Sequence, residues 1–103
     1  MIKVSVLYPN GAGKKFDMIY YLDYHMPMVQ RLLGSALKGM SVEHGISGEK
    51  PGSAAPYMAT GHLLFHTLET YQASFAPHAQ EIIADIPKYT NSEPLIQIGE
   101  IKL

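Results

Sequence analysis

The chain has no cysteine among its 103 residues, which removes disulfides, thiolate metal sites and cysteine nucleophiles together. It also lacks an excess of either charge. Eight Lys and Arg stand against nine Asp and Glu, for a net charge of −1, and the bases are scattered rather than gathered in a run, so nucleic acid is not an expected partner. No apolar run is long enough to cross a membrane. The N-terminal stretch MIKVSVLYPN lacks the basic start and long apolar core of a secretory signal, so a cytoplasmic location with no membrane partner is the expectation. The composition is that of an ordinary globular protein, 47% hydrophobic and 17% charged. The length suits a single domain over residues 1–103, able to bury about 65% of the surface its unfolded chain exposes.

Alternation of Ile2, Val4, Val6 and Tyr8 with Lys3, Ser5 and Leu7 has the two-residue period of a strand, and Pro9-Asn10-Gly11 ends it with turn chemistry. Asp17 is placed to cap a first helix. Wound at 3.6 residues per turn, that helix puts Met18, Tyr21, His25, Val29 and Leu32 on one side, with Asp23, Gln30 and Arg31 on the other. Pro27 lacks the N–H that a continuous helix would bond to Asp23, so a kink or restart is expected there. A second strand is predicted over residues 37–44, a glycine- and proline-punctuated loop over 45–56, and a third strand from 57 to 65 or 66. Thr67 then caps a second helix carrying Leu68, Tyr71 and Phe75, interrupted at Pro77 and resumed through Ile82, Ile83 and Ile86. The last strand is predicted over 95–101.

The resulting order is β-α-β-β-α-β, an α+β, ferredoxin-like arrangement in which both helices cover one face of a four-stranded antiparallel sheet. In the third strand neither set of alternating residues is cleanly polar, as a solvated face would be. A partner, most simply a second copy of the chain, is therefore expected over the helix-free face.

Two motifs fail on inspection. Gly11-Ala12-Gly13-Lys14-Lys15 follows a strand and precedes a helix, but lacks the spacer and the hydroxyl residue of a phosphate loop, and Phe16 stands where a dinucleotide loop needs glycine. His62 and His66 have the spacing of helical zinc ligands, yet Leu63 replaces the expected glutamate, and along a strand they stand about 13 Å apart. No metal site is predicted, although two histidines and a carboxylate brought together from distant segments stay open. No serine has a nucleophile-elbow setting.

The titratable residues are more informative. His25 falls in the apolar stripe of the first helix, so it is either a core histidine or an acid/base facing a cavity. Tyr21, one turn earlier, orients it or fills the core. Asp85 lies at the end of a helix, where the dipole disfavours negative charge. It calls for a partner such as His25 or a tyrosine, or for backbone donors in the turn, and its role is structural or catalytic. Tyr8, closing the first strand, either offers a hydroxyl to a ligand near a pocket mouth or packs at the sheet edge. His62 contacts a ligand if its side of the third strand faces the helices, and an interface if it does not; the period cannot choose. His25 and Asp85 are the candidate catalytic pair, with Tyr8, Tyr21, His62 and Phe65 the candidates for ligand contact.

Several segments together resemble the EthD family, named for a protein linked to ethyl tert-butyl ether degradation: Tyr8-Pro9, Phe16-Asp17 with Tyr20-Tyr21 and His25-Met26-Pro27, and Asp85-Ile86-Pro87 with Tyr89-Thr90. The resemblance runs over essentially the whole chain. It implies a dimeric α+β barrel built from two ferredoxin-like protomers, with a pocket between helices and sheet. Relatives of that architecture include cofactor-independent monooxygenases, haem-degrading enzymes and isomerases. The functional expectation is a homodimer that binds a small apolar or aromatic molecule and takes part in its oxidative degradation as an oxidoreductase or monooxygenase-like enzyme, with His25 as acid/base. An isomerase-like activity, a non-catalytic accessory protein that only binds the ligand, and a haem-binding protein are the alternatives. No cofactor is predicted; haem and flavin stay open.

Overall fold

Ile2–Pro9 forms strand β1, with Val4 and Tyr8 buried on one face and Lys3 exposed on the other, as its two-residue period requires. The computed structural model describes residues 1–103. Its other strands are β2 (Gly39–His44), β3 (Tyr57–Phe65) and β4 (Leu95–Glu100), and the sheet order is β2-β3-β1-β4 with every neighbouring pair antiparallel. The expected β-α-β-β-α-β order is therefore the observed one. β2 starts two residues later than its sequence pattern suggests, because Gly34–Ala36 form a 3₁₀ turn and ladder pairing begins at Gly39 opposite Leu64.

The first helical segment differs from expectation in an instructive way. It begins as helix α1 (Met18–Tyr20), capped by the Asp17 carboxylate, which accepts from the Tyr20 N–H at 3.0 Å. It passes through a π-helical turn, Tyr21–His25, and continues as α2 (Met26–Leu33). The helix neither breaks nor restarts at Pro27. The Met26 N–H reaches back five residues to the Tyr21 carbonyl, and this widened turn carries the chain past a proline that has no N–H to give. Widening also shifts the phase of the apolar stripe. Tyr21, His25, Met26, Val29 and Leu33 are buried, whereas Leu32, expected inward on an unbroken 3.6-residue period, is only half-buried.

Thr67 caps α3 (Leu68–Phe75) by accepting from the Thr70 N–H. Ala76–His78 tighten into a 3₁₀ turn around Pro77, α4 follows (Ala79–Asp85), and Ile86–Lys88 form a last 3₁₀ turn. Helices cover the face carrying Val4, Tyr8, Ala59, Leu63 and Phe65, which forms the core with Tyr21, Met26, Val29, Leu33, Ile82 and Tyr89. The chain between α4 and β4 is stitched back onto the segment before α1. Phe16 pairs with Thr90, the Asp17 N–H bonds the Tyr89 carbonyl at 2.7 Å, and the Thr90 hydroxyl donates to the Lys15 carbonyl at 2.6 Å. The Ser92 hydroxyl adds a bond to the Pro9 carbonyl at 2.7 Å. These bonds hold Tyr89 beside the first helix.

Candidate functional site

A cavity of about 70 Å³ lies between the helices and the sheet. Its floor is Val4, Val6, Tyr8, Gly61 and Leu63; the first helix contributes Tyr21, His25, Met26 and Val29. Tyr71, Phe75 and Ile82 close it from α3 and α4, and Ile83, Ile86, Pro94 and Ile96 form its rim. Ile83 and Ile96 are 57% and 58% exposed, which marks this rim as the way in. No charged side chain lines the cavity other than the titratable His25. Such a space, apolar with a few convergent polar groups, is the usual form of a small-molecule site.

The widened turn puts His25 in the cavity wall, 4% exposed. Its Nδ1 lies 2.9 Å from Asp85 Oδ2, and the Tyr20 hydroxyl donates to the other carboxylate oxygen at 2.8 Å. Asp85, at the disfavoured end of its helix, is thus partnered by both a histidine and a tyrosine side chain. Lys88 Nζ approaches Oδ1 to 3.6 Å but is largely exposed, so it adds little. The imidazole stacks on Tyr21, with centroids 5.4 Å apart and rings 14° from parallel.

Burial pushes the His25 imidazole below its ordinary range, against the hydrogen bond and charge of Asp85, which pull it upward. Burial works to raise the Asp85 carboxyl; hydrogen bonds from His25 and Tyr20 and the charges of His25 and Lys88 outweigh it and hold the group below the usual carboxylate range. The pair therefore rests as neutral imidazole and carboxylate. A carboxylate only accepts, so Nδ1–H donates to Asp85 and Nε2 carries the lone pair, with the Tyr89 hydroxyl 3.4 Å away. Tyr8, Tyr21 and Tyr89 are all pushed upward, chiefly by burial, and stay protonated.

Of the residues singled out from sequence, the fold brings Tyr8, Tyr21 and His25 to the cavity, with Asp85 behind His25. Phe65 does not line it. That side chain is fully buried in the core, with its ring 5.1 Å from Tyr71. His62 lies on the opposite, helix-free face, where its Nδ1 meets Ser5 Oγ at 3.1 Å; strand alternation sends it away from Gly61 and Leu63. Sequence reasoning missed Tyr20 and Tyr89 as site residues. The Tyr89 hydroxyl sits 2.7 Å from that of Tyr8 and 3.4 Å from His25 Nε2. Both tyrosines stand in segments that carry the family resemblance, which was the available signal. No three His, Asp or Glu side chains converge to hold a metal ion.

Fold and site together define a small ferredoxin-like α+β protein with a histidine–carboxylate pair in the wall of an apolar cavity. The EthD domain model matches residues 11–93. The crystal structure of an EthD-like protein from Ralstonia eutropha JMP134 is 39% identical, covers 99% of this chain and 92% of its own, and superposes with a TM-score of 0.95. The chain belongs to the EthD family. An ethyl tert-butyl ether degradation family protein from Bacillus halodurans C-125 is 20% identical with a TM-score of 0.75 over 99% of both chains. A candidate antibiotic biosynthesis monooxygenase from Bordetella bronchiseptica, 15% identical, covers 99% of this chain and 96% of its own at a TM-score of 0.63. Both of these likenesses are of fold alone. Comparison with curated proteins gives no match.

Proposed function

We propose that this protein binds a small, largely apolar or aromatic molecule in the cavity and takes part in its oxidative breakdown as a monooxygenase-like homodimer. His25 acts as general base and acid, Asp85 orients it, and Tyr8 and Tyr21 position an oxygen of the ligand. The observation that carries the reading is the neutral His25, backed by Asp85 at 2.9 Å, in the wall of an otherwise apolar cavity. A buried imidazole with one nitrogen committed to a carboxylate offers a base at the other nitrogen near neutral pH. In an oxygenase of this kind the deprotonated ligand itself reduces dioxygen, so the protein's tasks are proton removal and exclusion of water. Membership of the EthD family and the fold shared with monooxygenase-type proteins support the same class, though fold alone does not assign a reaction.

Deuterium uptake from D₂O into a panel of small enolisable aryl ketones, read by mass spectrometry, tests the base without knowledge of the final reaction. His25→Gln should lower the uptake about 100-fold or more and leave ligand binding in place. Equal uptake by wild type and variant would refute the base. Binding without uptake in the wild type would instead favour the accessory, ligand-carrying role, to which the wholly uncharged lining is also suited.

A further inference from the structure

At about 70 Å³ the cavity is less than half the size of one that takes a benzene ring, about 150 Å³. About three or four non-hydrogen atoms fill it. A molecule that reaches His25 therefore enters by one end and leaves its remainder outside. The way out is already apolar. Ile83, Ile86, Pro94 and Ile96, the rim of the cavity, also line an open groove of about 470 Å³ on the outer surface, which Pro87 extends. Cavity and groove are thus one continuous path. Most polar side chains along the groove are committed to the fold: Thr90 donates to the Lys15 carbonyl, Asn91 to the Gly13 carbonyl and Ser92 to the Pro9 carbonyl. Glu93 is the groove's one charge, and no Lys or Arg lines it. An anionic group has nothing to hold it there.

Resting on the reading of this cavity as a ligand site, we propose that the ligand is an elongated, uncharged molecule, with a narrow head the size of an acetyl group in the cavity beside His25 and an aliphatic tail in the groove over Ile83 and Ile96. These two isoleucines are 57% and 58% exposed, so a tail laid on them removes apolar surface from water on both sides of the contact. A fully buried methylene strengthens binding about fourfold. In an open groove one side of the chain stays wet, which leaves about twofold for each methylene. The head is limited by the volume of the cavity, whereas the tail meets no wall. Chain length is therefore read in the groove, and Ile83 and Ile96 are the residues that set the preference for it.

The probes are 2-butanone, 2-hexanone and 2-octanone, titrated into the full chain carrying ¹³C-labelled isoleucine methyl groups and followed by NMR. 2-Octanone, four methylenes longer than 2-butanone, should bind about tenfold more tightly or better, and the Ile83 and Ile96 signals should shift progressively with chain length. Ile83→Ser and Ile96→Ser should each lower the ratio of the two affinities about threefold. Ile19→Ser, at an exposed isoleucine outside the groove, should keep that ratio. 7-Oxooctanoate, the same chain ending in a carboxylate, should bind about tenfold more weakly than 2-octanone. Equal affinity for short and long ketones, or a ratio indifferent to both groove variants, would overturn the proposal and leave the cavity reading standing. Equal affinity for the keto acid and 2-octanone would refute the uncharged tail. Ile83 and Ile96 signals that move with protein concentration and not with ketone would give the groove to a second copy, against the proposal. Failure of every ketone to bind would overturn the pocket reading together with this one.

Discussion

Gly61 and His25 show how single residues set the site. A Cβ at position 61 would run into the Tyr21 hydroxyl, so glycine there is what lets the tip of Tyr21 approach β3. Gly61→Ala should cost about 1–3 kcal/mol through overpacking and weaken binding in the cavity as Tyr21 is displaced. A melting temperature and affinity equal to wild type would show that the ring has slack. His25 links stability to pH. Its folded-state pKa is lowered by burial, so as pH falls through about 6.5 the unfolded chain takes up a proton that the folded protein resists, and stability is lost down to the folded value. Asp85, also lowered in the fold, adds a second loss as pH falls below about 3.9. His25→Gln should flatten the first decline and also shrink the second, because His25 supplies part of what lowers Asp85 while Tyr20 and Lys88 keep the rest; melting temperatures measured across the acid range would reveal both. An unchanged first decline would assign it to other groups.

At the scale of elements, the first helical segment carries most of the chemistry, and its start depends on Asp17. Asp17→Ala removes the acceptor for the Tyr20 N–H and should cost about 1 kcal/mol, in the usual range for a lost N-cap. The loosened turn holds Tyr20, so deuterium exchange at the α1 amides should rise with it; equal protection in the variant would mean that packing alone secures the turn. Both caps, the proline interruptions and the strand alternation were legible because each is a local effect of a few residues. The π-helical turn was not. Pro27 announced a disturbance, but whether it became a break, a kink or a widened turn depended on whether Tyr21, His25 and Met26 had a sheet to pack against. Tyr89 escaped notice for a similar reason: its place beside His25 comes from the Phe16–Thr90 pairing, a contact between distant segments.

For the molecule as a whole, the helix-free face of the sheet mixes Leu7, Met58, Leu64 and Leu95 with Ser5, Thr60, His62 and Gln97. Leucines and a methionine spread across one sheet face are an unusual surface to leave in water, and the proposed cover is a second copy of the chain. Light scattering should give a dimer for the wild type. Leu64→Glu, placing a charge on that face, should give a folded monomer by light scattering and circular dichroism. A monomeric wild type would remove the dimer from the proposal. In a dimer, His62 and its Ser5 partner become interface residues, the outcome that strand period alone left open.

By itself the sequence determined the order of elements, their caps, the family and the residues able to carry acid/base chemistry, because these follow from local period, side-chain type and motif. Only the tertiary structure decided which of them meet. It brought His25 and Asp85, sixty positions apart, to 2.9 Å, set Tyr89 between Tyr8 and His25, and turned His62 away. The physical reason is that pairing across a sheet and packing of helices on it depend on the register of distant strands, which no short window of residues contains.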